Sequence, residues 1–373
     1  MVRSRYFSWT ISRGLHLRKP LSILEGHPLP IYTPLMRSDL FASDNTAPVH
    51  PRVMEAILAA NEGPALAYGE DPLSARARSL LREQTGARHV FFLHTGTAAN
   101  VVGMAPFLRP YHAVITSHIA HLNTHECGAL QRATGARIFP VVTPDGKLTP
   151  EHVEPFLHAS GNPHESQPAV VSITQPTERG TLYFPHEIRA LADLAHRHGL
   201  LLHVDGARLP QAAAALGLSL GALTAECGID ILSLGGAKCG LMYGEAVLLW
   251  VDTKEMPFHL KQTMQLAPKM RFIAAQFLAL YEDDLWLGLA RTANTRAQHL
   301  ARELAALGIT IAYPVETNAV FPRLPAPVAR RLLDHYTFYQ WEDDIYRLMT
   351  SYATREEDIE IFARKLRSFL EAV

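Results

Sequence analysis

Leu200-Leu201-Leu202-His203-Val204-Asp205-Gly206-Ala207-Arg208 is an apolar run that ends abruptly in an acid, two small residues and a base. So short a run with so little polar alternation reads as a strand buried on both faces. Such strands occur where helices cover both sides of a mainly parallel sheet, and functional groups then collect in the loops at the strands' carboxyl ends. Asp205 stands at such an end. An acid there is costly unless it is paired. Arg208 is one candidate partner and a bound cation is another, the plain alternative being a structural Asp–Arg pair.

The same pattern repeats on either side of this stretch. Short apolar runs at 90–93, 113–116, 137–142, 169–174, 229–234 and 246–251 read as strands. Helices are predicted over 51–62, over 73–86 up to Gly86, after Gly96-Thr97, after Thr149-Pro150-Glu151, and over 185–199 up to Gly199. The alternation predicts an α/β fold with a mainly parallel sheet. Beyond about residue 255 the character changes. A long helix is predicted over 267–306, then a loop-rich stretch at 308–327 with four prolines. Two short strands, a helix near 326–335, strands near 338–350 and a final helix over 355–371 complete a smaller α+β unit.

Length and charge narrow the function. At roughly 100–200 residues per domain, 373 residues leave room for two. Hydrophobic residues make up 48% and charged residues 19%, a composition that builds a core and argues against disorder. The formal charge is −1, so no general basic field exists to hold nucleic acid or an anionic membrane surface. No uncharged apolar run is long enough to span a bilayer. Three cysteines, Cys127, Cys227 and Cys239, are too few for a disulfide framework and suit a reducing, cytoplasmic compartment. Residues 1–38 stand apart. Their six bases against Glu25 give +5, which leaves −6 for the other 335 residues. This segment reads either as transit-like or as a poorly ordered extension. The expected division is therefore an extension at 1–38, a large domain at 39–265 and a small one at 266–373.

Three loops after predicted strands carry chemistry. His94-Thr95-Gly96-Thr97 opens a helix, whose free N–H groups suit one phosphate; the bland reading is a threonine-capped helix start. Asp205 closes the apolar run that begins at Leu200. In Gly235-Gly236-Ala237-Lys238-Cys239-Gly240, a lysine among small residues would be desolvated and hence nucleophilic, unless it snorkels to solvent. A phosphate cradle, then an acid, then a lysine 33 positions later are the parts of a pyridoxal phosphate (PLP) site. No His, Cys or acid cluster has metal-ligand spacing, so no metal is expected.

With Ser43-Asp44-Asn45, Ala67-Tyr68-Gly69-Glu70-Asp71-Pro72, Thr95-Gly96-Thr97, His121 five residues before Glu126, Asp205-Gly206-Ala207-Arg208 and Gly235–Lys238, residues 40–373 resemble the low-specificity L-threonine aldolases. These are fold-type I PLP enzymes related to the β-eliminating lyases. The resemblance implies a mainly parallel seven-stranded sheet with helices on both faces and a smaller C-terminal α+β domain. It implies retro-aldol cleavage of L-threonine, L-allo-threonine and related β-hydroxy-α-amino acids to glycine and an aldehyde. By the resemblance, Lys238 would bind PLP covalently, Asp205 would face the pyridine nitrogen and His121 would lie over the ring. Thr95, Gly96 and Thr97 would hold the phosphate. Arg347, assisted by Arg208 and Ser43, would take the substrate carboxylate. Arg208 would also serve the cofactor. Tyr68 and Arg271 would be given across an interface to a neighbouring subunit of a homo-oligomer, a dimer or tetramer with shared sites. For Arg347 the plain alternative is a surface ion pair with the Glu342-Asp343-Asp344 run. Two departures stand out. The loop Gln175-Pro176-Thr177-Glu178-Arg179-Gly180 has no histidine, which leaves Glu178, Thr177 or a water to take the β-hydroxyl proton, and Ala237 replaces a usual hydroxyl residue. Open alternatives are β-elimination, a β-arylserine aldolase, and a non-catalytic PLP-fold binding protein.

Overall fold

In the computed structural model, which describes residues 38–372, the run that contains Asp205 is the middle strand of a seven-stranded sheet. The strands are β1 (His89–Leu93), β2 (His112–Ser117), β3 (Arg137–Val141), β4 (Gln167–Thr174), β5 (Leu201–Gly206), β6 (Ile231–Leu234) and β7 (Glu245–Leu249), in the order β1-β7-β6-β5-β4-β2-β3. The pairs β2–β3, β2–β4, β4–β5 and β5–β6 are parallel, whereas β7 runs antiparallel to both β6 and β1. The sheet is mainly parallel, as expected. The reversal of β7 leaves no trace in an apolar run.

Adjacent residues of the central strands feed opposite cores. Val171, Leu202 and Leu232 belong to one cluster, and Val170, Ile231 and Val247 to the other. Helices cover each face, which is why these strands are continuous apolar runs rather than alternating ones. The helix Pro72–Thr85 shows how its ends are set: Asp71 accepts from Ser74 N at 2.8 Å, Pro72 opens the first turn, and Gly86 closes it at φ +74°. Short helices at His121–Thr124, Ala129–Thr134, Leu209–Leu216 and Met256–Gln262 add to those predicted.

The helix predicted over 267–306 is a correction. The chain forms two helices, Arg271–Tyr281 and Leu285–Ala306, broken at Glu282-Asp283-Asp284. Three acids oppose the negative C-terminal end of the first helix and suit the N-terminal end of the second. Asp284 adopts φ +52°, and its Oδ1 accepts from Trp286 Nε1 at 3.2 Å, a local turn that competes with continued helix. Arg52 pairs with Asp283 at 2.5 Å and Arg76 with Glu282, which draws the acids outward.

The described residues belong to one compact unit. Toward the C terminus, β8 (Ala319–Val320), β9 (Tyr339–Glu342) and β10 (Ile345–Met349) form a second, antiparallel sheet in the order β8-β10-β9. Its core joins Leu300, Val320, Leu348 and Phe362 to Phe41, which is fully buried. Phe41 O accepts from Met349 N at 3.0 Å, so the segment that precedes the large sheet is packed into the smaller unit. The charged segment 1–38 lies, but for Ser38, outside the described residues. Among the described residues no helix is long and apolar enough to cross a membrane.

Candidate active site

Sheet register brings the candidate loops together. Thr174 on β4 pairs with Asp205 on β5, and Asp205 pairs with Ser233 on β6. The loops that follow these three strands hold Glu178, Arg208 and Lys238. Gly235 closes the gap further, because a Cβ there would lie 2.1 Å from Ala207 O. No side chain fits, so the loop carrying Lys238 rests directly on the Asp205 loop.

Asp205 is buried, and Arg208 is not its partner. Its Oδ2 accepts from Asn100 Nδ2 at 2.9 Å and its Oδ1 from Ala207 N at 3.0 Å. The same Asn100 nitrogen donates to Glu126 Oε1 at 2.8 Å, and His121 Nδ1 donates to that oxygen at 2.9 Å. A continuous chain thus runs His121–Glu126–Asn100–Asp205. The His121 side chain keeps 42% of its surface exposed, while Glu126 is sealed at 0%. The ring is anchored at one edge and remains partly exposed. Behind Asp205, His203 bridges Ser172 Oγ at 2.8 Å and Ser233 Oγ at 3.1 Å. Burial pushes its pKa down to about 4, so this imidazole is neutral and serves both hydroxyls.

Arg208 belongs instead to Asp44. Its Nε and Nη2 meet the two Asp44 oxygens at 2.6 and 2.9 Å, a bidentate pair. Burial works against both charges, yet each holds the other charged, Asp44 below its usual range and Arg208 above. Asn318 Nδ2 adds a third donor to Asp44 at 3.1 Å. Ser43 caps the short turn Asp44–Thr46 and donates weakly to Asp44.

Lys238 sits in the turn Ala237–Cys239, largely enclosed, with no hydrogen bond or ion pair to a described residue. Burial and then the Arg208 charge lower its pKa, while Asp44, Asp205 and Glu245 pull the other way. Glu245, at the start of β7, accepts from Gly236 N at 2.7 Å and secures the lysine's turn; burial pushes its pKa to about 7. Cys239 is buried, and burial pushes its thiol up to about 12, so it is a packing residue and not a nucleophile.

Arg347 on β10, like Lys238, pairs with no acid among the described residues. The ion pair weighed from the sequence does not form. Glu342 is taken by Arg179 at 2.6 Å and by Tyr313 at 3.0 Å, and Asp344 by Arg323 at 2.5 Å. Arg347 Nε is buried with no partner, and the guanidinium lies 5.4 Å from the Tyr339 ring and 5.7 Å from Trp341. Its charged neighbours are Arg208 and Asp44, both also felt by Lys238. His125 feels its charge and stacks on His121 with centroids 5.7 Å apart.

Glu178 Oε1 accepts from His121 N and Thr174 Oγ1, both at 2.8 Å, while Oε2 is buried without a partner. Burial pushes its pKa to about 7. Thr95 caps the helix Gly96–Met104 by accepting from Ala98 N at 3.3 Å, and the N–H groups of Gly96 and Thr97 have no acceptor within the helix. The capped-start reading is therefore true of Thr95 and compatible with an anion at the next two residues. Tyr68 and Arg271 engage none of these groups. Tyr68 lies under Lys261 at 5.2 Å, and Arg271 donates to Gly63 O at 2.9 Å. Asn100 and Glu245 escaped the sequence reading. For Asn100 the available signal was an asparagine set among Ala98, Ala99, Val101 and Val102. Among the described residues no group of His, Cys or acids is arranged to hold a metal.

With this geometry in view, the comparisons are direct. The β-eliminating lyase family model matches residues 40–326. The low-specificity L-threonine aldolase of Pseudomonas aeruginosa is 38% identical over 340 residues, 89% of this chain and 98% of that one. The solved threonine aldolase of Leishmania major superposes with a TM-score of 0.84 at 31% identity, covering 88% of this chain and 99% of its own. A serine palmitoyltransferase from Sphingomonas wittichii, at 14% identity and a TM-score of 0.68 over 89% of this chain and 87% of its own, shares the fold alone, that of the fold-type I PLP enzymes. The chain belongs to the β-eliminating lyase family, among its low-specificity L-threonine aldolases.

Proposed function

We propose that the chain cleaves L-threonine, L-allo-threonine and related β-hydroxy-α-amino acids to glycine and an aldehyde, with pyridoxal phosphate as cofactor. One observation carries this reading. Lys238 and Arg347 are two largely enclosed cations, neither has a hydrogen-bond or ion-pair partner among the described residues, and both share Arg208 and Asp44 as charged neighbours. Buried unpaired cations cost stability unless a ligand completes them. A carbonyl completes the amine and a carboxylate completes the guanidinium, which together describe PLP and an amino acid.

The residues fit that cofactor. Lys238 would supply the amine, Asp205 a carboxylate for the ring nitrogen, His121 a flat ring to lie against the cofactor, and the first turn at Gly96 and Thr97 the phosphate cradle. When bound, PLP supplies an electron-accepting ring that weakens bonds at Cα. The protein selects which bond. Arg347 grips the carboxylate, with Ser43 and the one Arg208 nitrogen that Asp44 leaves free. A carboxylate held there would fix the torsion at Cα, so that Cα–Cβ would be the bond presented to the cofactor's electron-accepting ring. Glu178 takes the β-hydroxyl proton as the aldehyde leaves, and a proton returned to Cα gives glycine.

Glu178 must be ionised to accept that proton. With its pKa near 7, activity is expected to climb as pH rises through about 7 and then level. Glu178→Gln should lower kcat by about 10²- to 10⁴-fold and remove that limb. A variant with the parental profile would give the role to Thr177 or a water. The reading as a whole is tested by adding PLP to the purified protein, recording the visible spectrum before and after glycine, and assaying aldehyde from threonine. Ammonia and a keto acid in place of glycine and aldehyde would make the chain a β-eliminating enzyme.

The working form in this reading is a cytoplasmic homo-oligomer, a dimer or tetramer, with Tyr68 and Arg271 completing a neighbour's site. In support, Tyr68 is 48% exposed, and both residues lie in chain segments that also expose Leu66 at 70% and Met264 at 82%. The three cysteines are free, in keeping with a reducing compartment. Mixing inactive Lys238→Ala and Arg271→Ala subunits should restore part of the activity. A monomer by sedimentation that retains full turnover would contradict shared sites.

A further inference from the structure

Asn100 is 2% exposed and sits within the helix Gly96–Met104, where asparagine is a poor helix former. Its Oδ1 is buried without a partner among the described residues. Both features cost stability, so its side chain is kept there for another reason. That reason is geometric. Its nitrogen donates to two sealed carboxylates at once, Asp205 at 2.9 Å and Glu126 at 2.8 Å. The three residues come from separate segments: the helix after β1, the end of β5, and the turn between two short helices that follow β2.

Few side chains can do this. A hydroxyl has one hydrogen, and a cation would place a charge between the two acids. Another acid would repel them. A primary carboxamide offers two N–H groups on one atom without charge. It therefore donates to both carboxylates and lets them lie close together without placing a charge between them. Glu126, so held, accepts from His121 Nδ1 and fixes the ring's proton on that nitrogen.

We propose that Asn100 is a positioning residue for the reaction, tying the acid that faces the cofactor's ring nitrogen to the acid that aims His121, so that the two act as one unit. The inference rests on the PLP reading above, and its test separates the two.

Asn100→Ala holoenzyme is to be compared with the unsubstituted holoenzyme in three ways: visible absorbance against pH, PLP retained after dialysis, and kcat and KM for threonine. The expected result is a shifted pH midpoint of the bound-cofactor band and weaker PLP retention. A fall of about 10- to 100-fold in kcat is expected with KM unchanged within error, the scale on which supporting residues act. A double-mutant cycle with His121→Phe should show effects that do not add. A parental midpoint with additive effects in a folded variant would overturn the proposal. If Asn100→Ala fails to fold, Glu126→Gln carries the same test. Removing that charge must move the cofactor's midpoint through Asn100, and an unmoved midpoint overturns the proposal. An unsubstituted protein with no visible band after PLP is added would instead overturn the activity reading.

Discussion

Lys238→Ala is expected to leave a folded protein with no detectable threonine cleavage and no visible cofactor band. The loss should be on the order of 10³-fold or more, the scale on which deletion of a covalent catalyst acts. Folding should survive because Lys238 makes no hydrogen bond or ion pair to a described residue, and because the turn that carries it is held by Glu245 through Gly236 N. What disappears is an amine whose pKa burial and the Arg208 charge both lower, and which is therefore a better nucleophile than a solvated lysine. Thermal melts and far-UV dichroism check the first half, and a threonine-dependent aldehyde assay the second. A variant that still releases aldehyde would remove Lys238 from the chemistry.

Arg347→Leu is expected to trade function for stability. The unsubstituted guanidinium is largely buried, its Nε has no partner, and burial depresses its pKa. The Tyr339 and Trp341 rings offset only part of that cost, since cation–π contacts contribute about 0.5–2 kcal/mol. Leucine keeps the contact with the rings and removes the charge, so Tm should rise by about 1–3 °C. The substrate carboxylate then loses its bidentate partner, and kcat/KM should fall by about 10²- to 10³-fold, mostly through KM. Gains and losses of opposite sign are what a ligand-seeking site shows. A lower Tm would mean that Arg347 supports the fold, and that its missing carboxylate is not kept for substrate.

What the sequence disclosed was the path of the chain at the sheet. Strand ends at Leu93, Thr174 and Leu234, and that of β5 to within one residue at Gly206, were readable because buried strands are apolar runs that stop where polar loops begin. Partnership was not readable. Arg208 lies three residues after Asp205 and yet binds Asp44, 164 positions away, because register and not proximity along the chain decides which charges meet. Asn100 looked like part of a helix opening, since a hydrogen-bond bridge between two acids has no sequence period. The break at Asp284 hid inside a strong helical pattern, where local charge overruled propensity. Arg347 was ambiguous beside Glu342 and Asp344 until each acid was found with another partner.

The placement of β1 has a consequence for how the protein is made. Leu93 leads into the Thr95-Gly96-Thr97 turn, but its strand touches the sheet only through β7, where it pairs with Glu245. The ribosome must add roughly 150 further residues before that partner exists, which takes about 8–30 s at typical synthesis rates. Until then the nascent chain can stack its central strands but has no finished end for a phosphate. The strand that leads into the Thr95-Gly96-Thr97 turn therefore finds its place in the sheet only after about two thirds of the chain has been made.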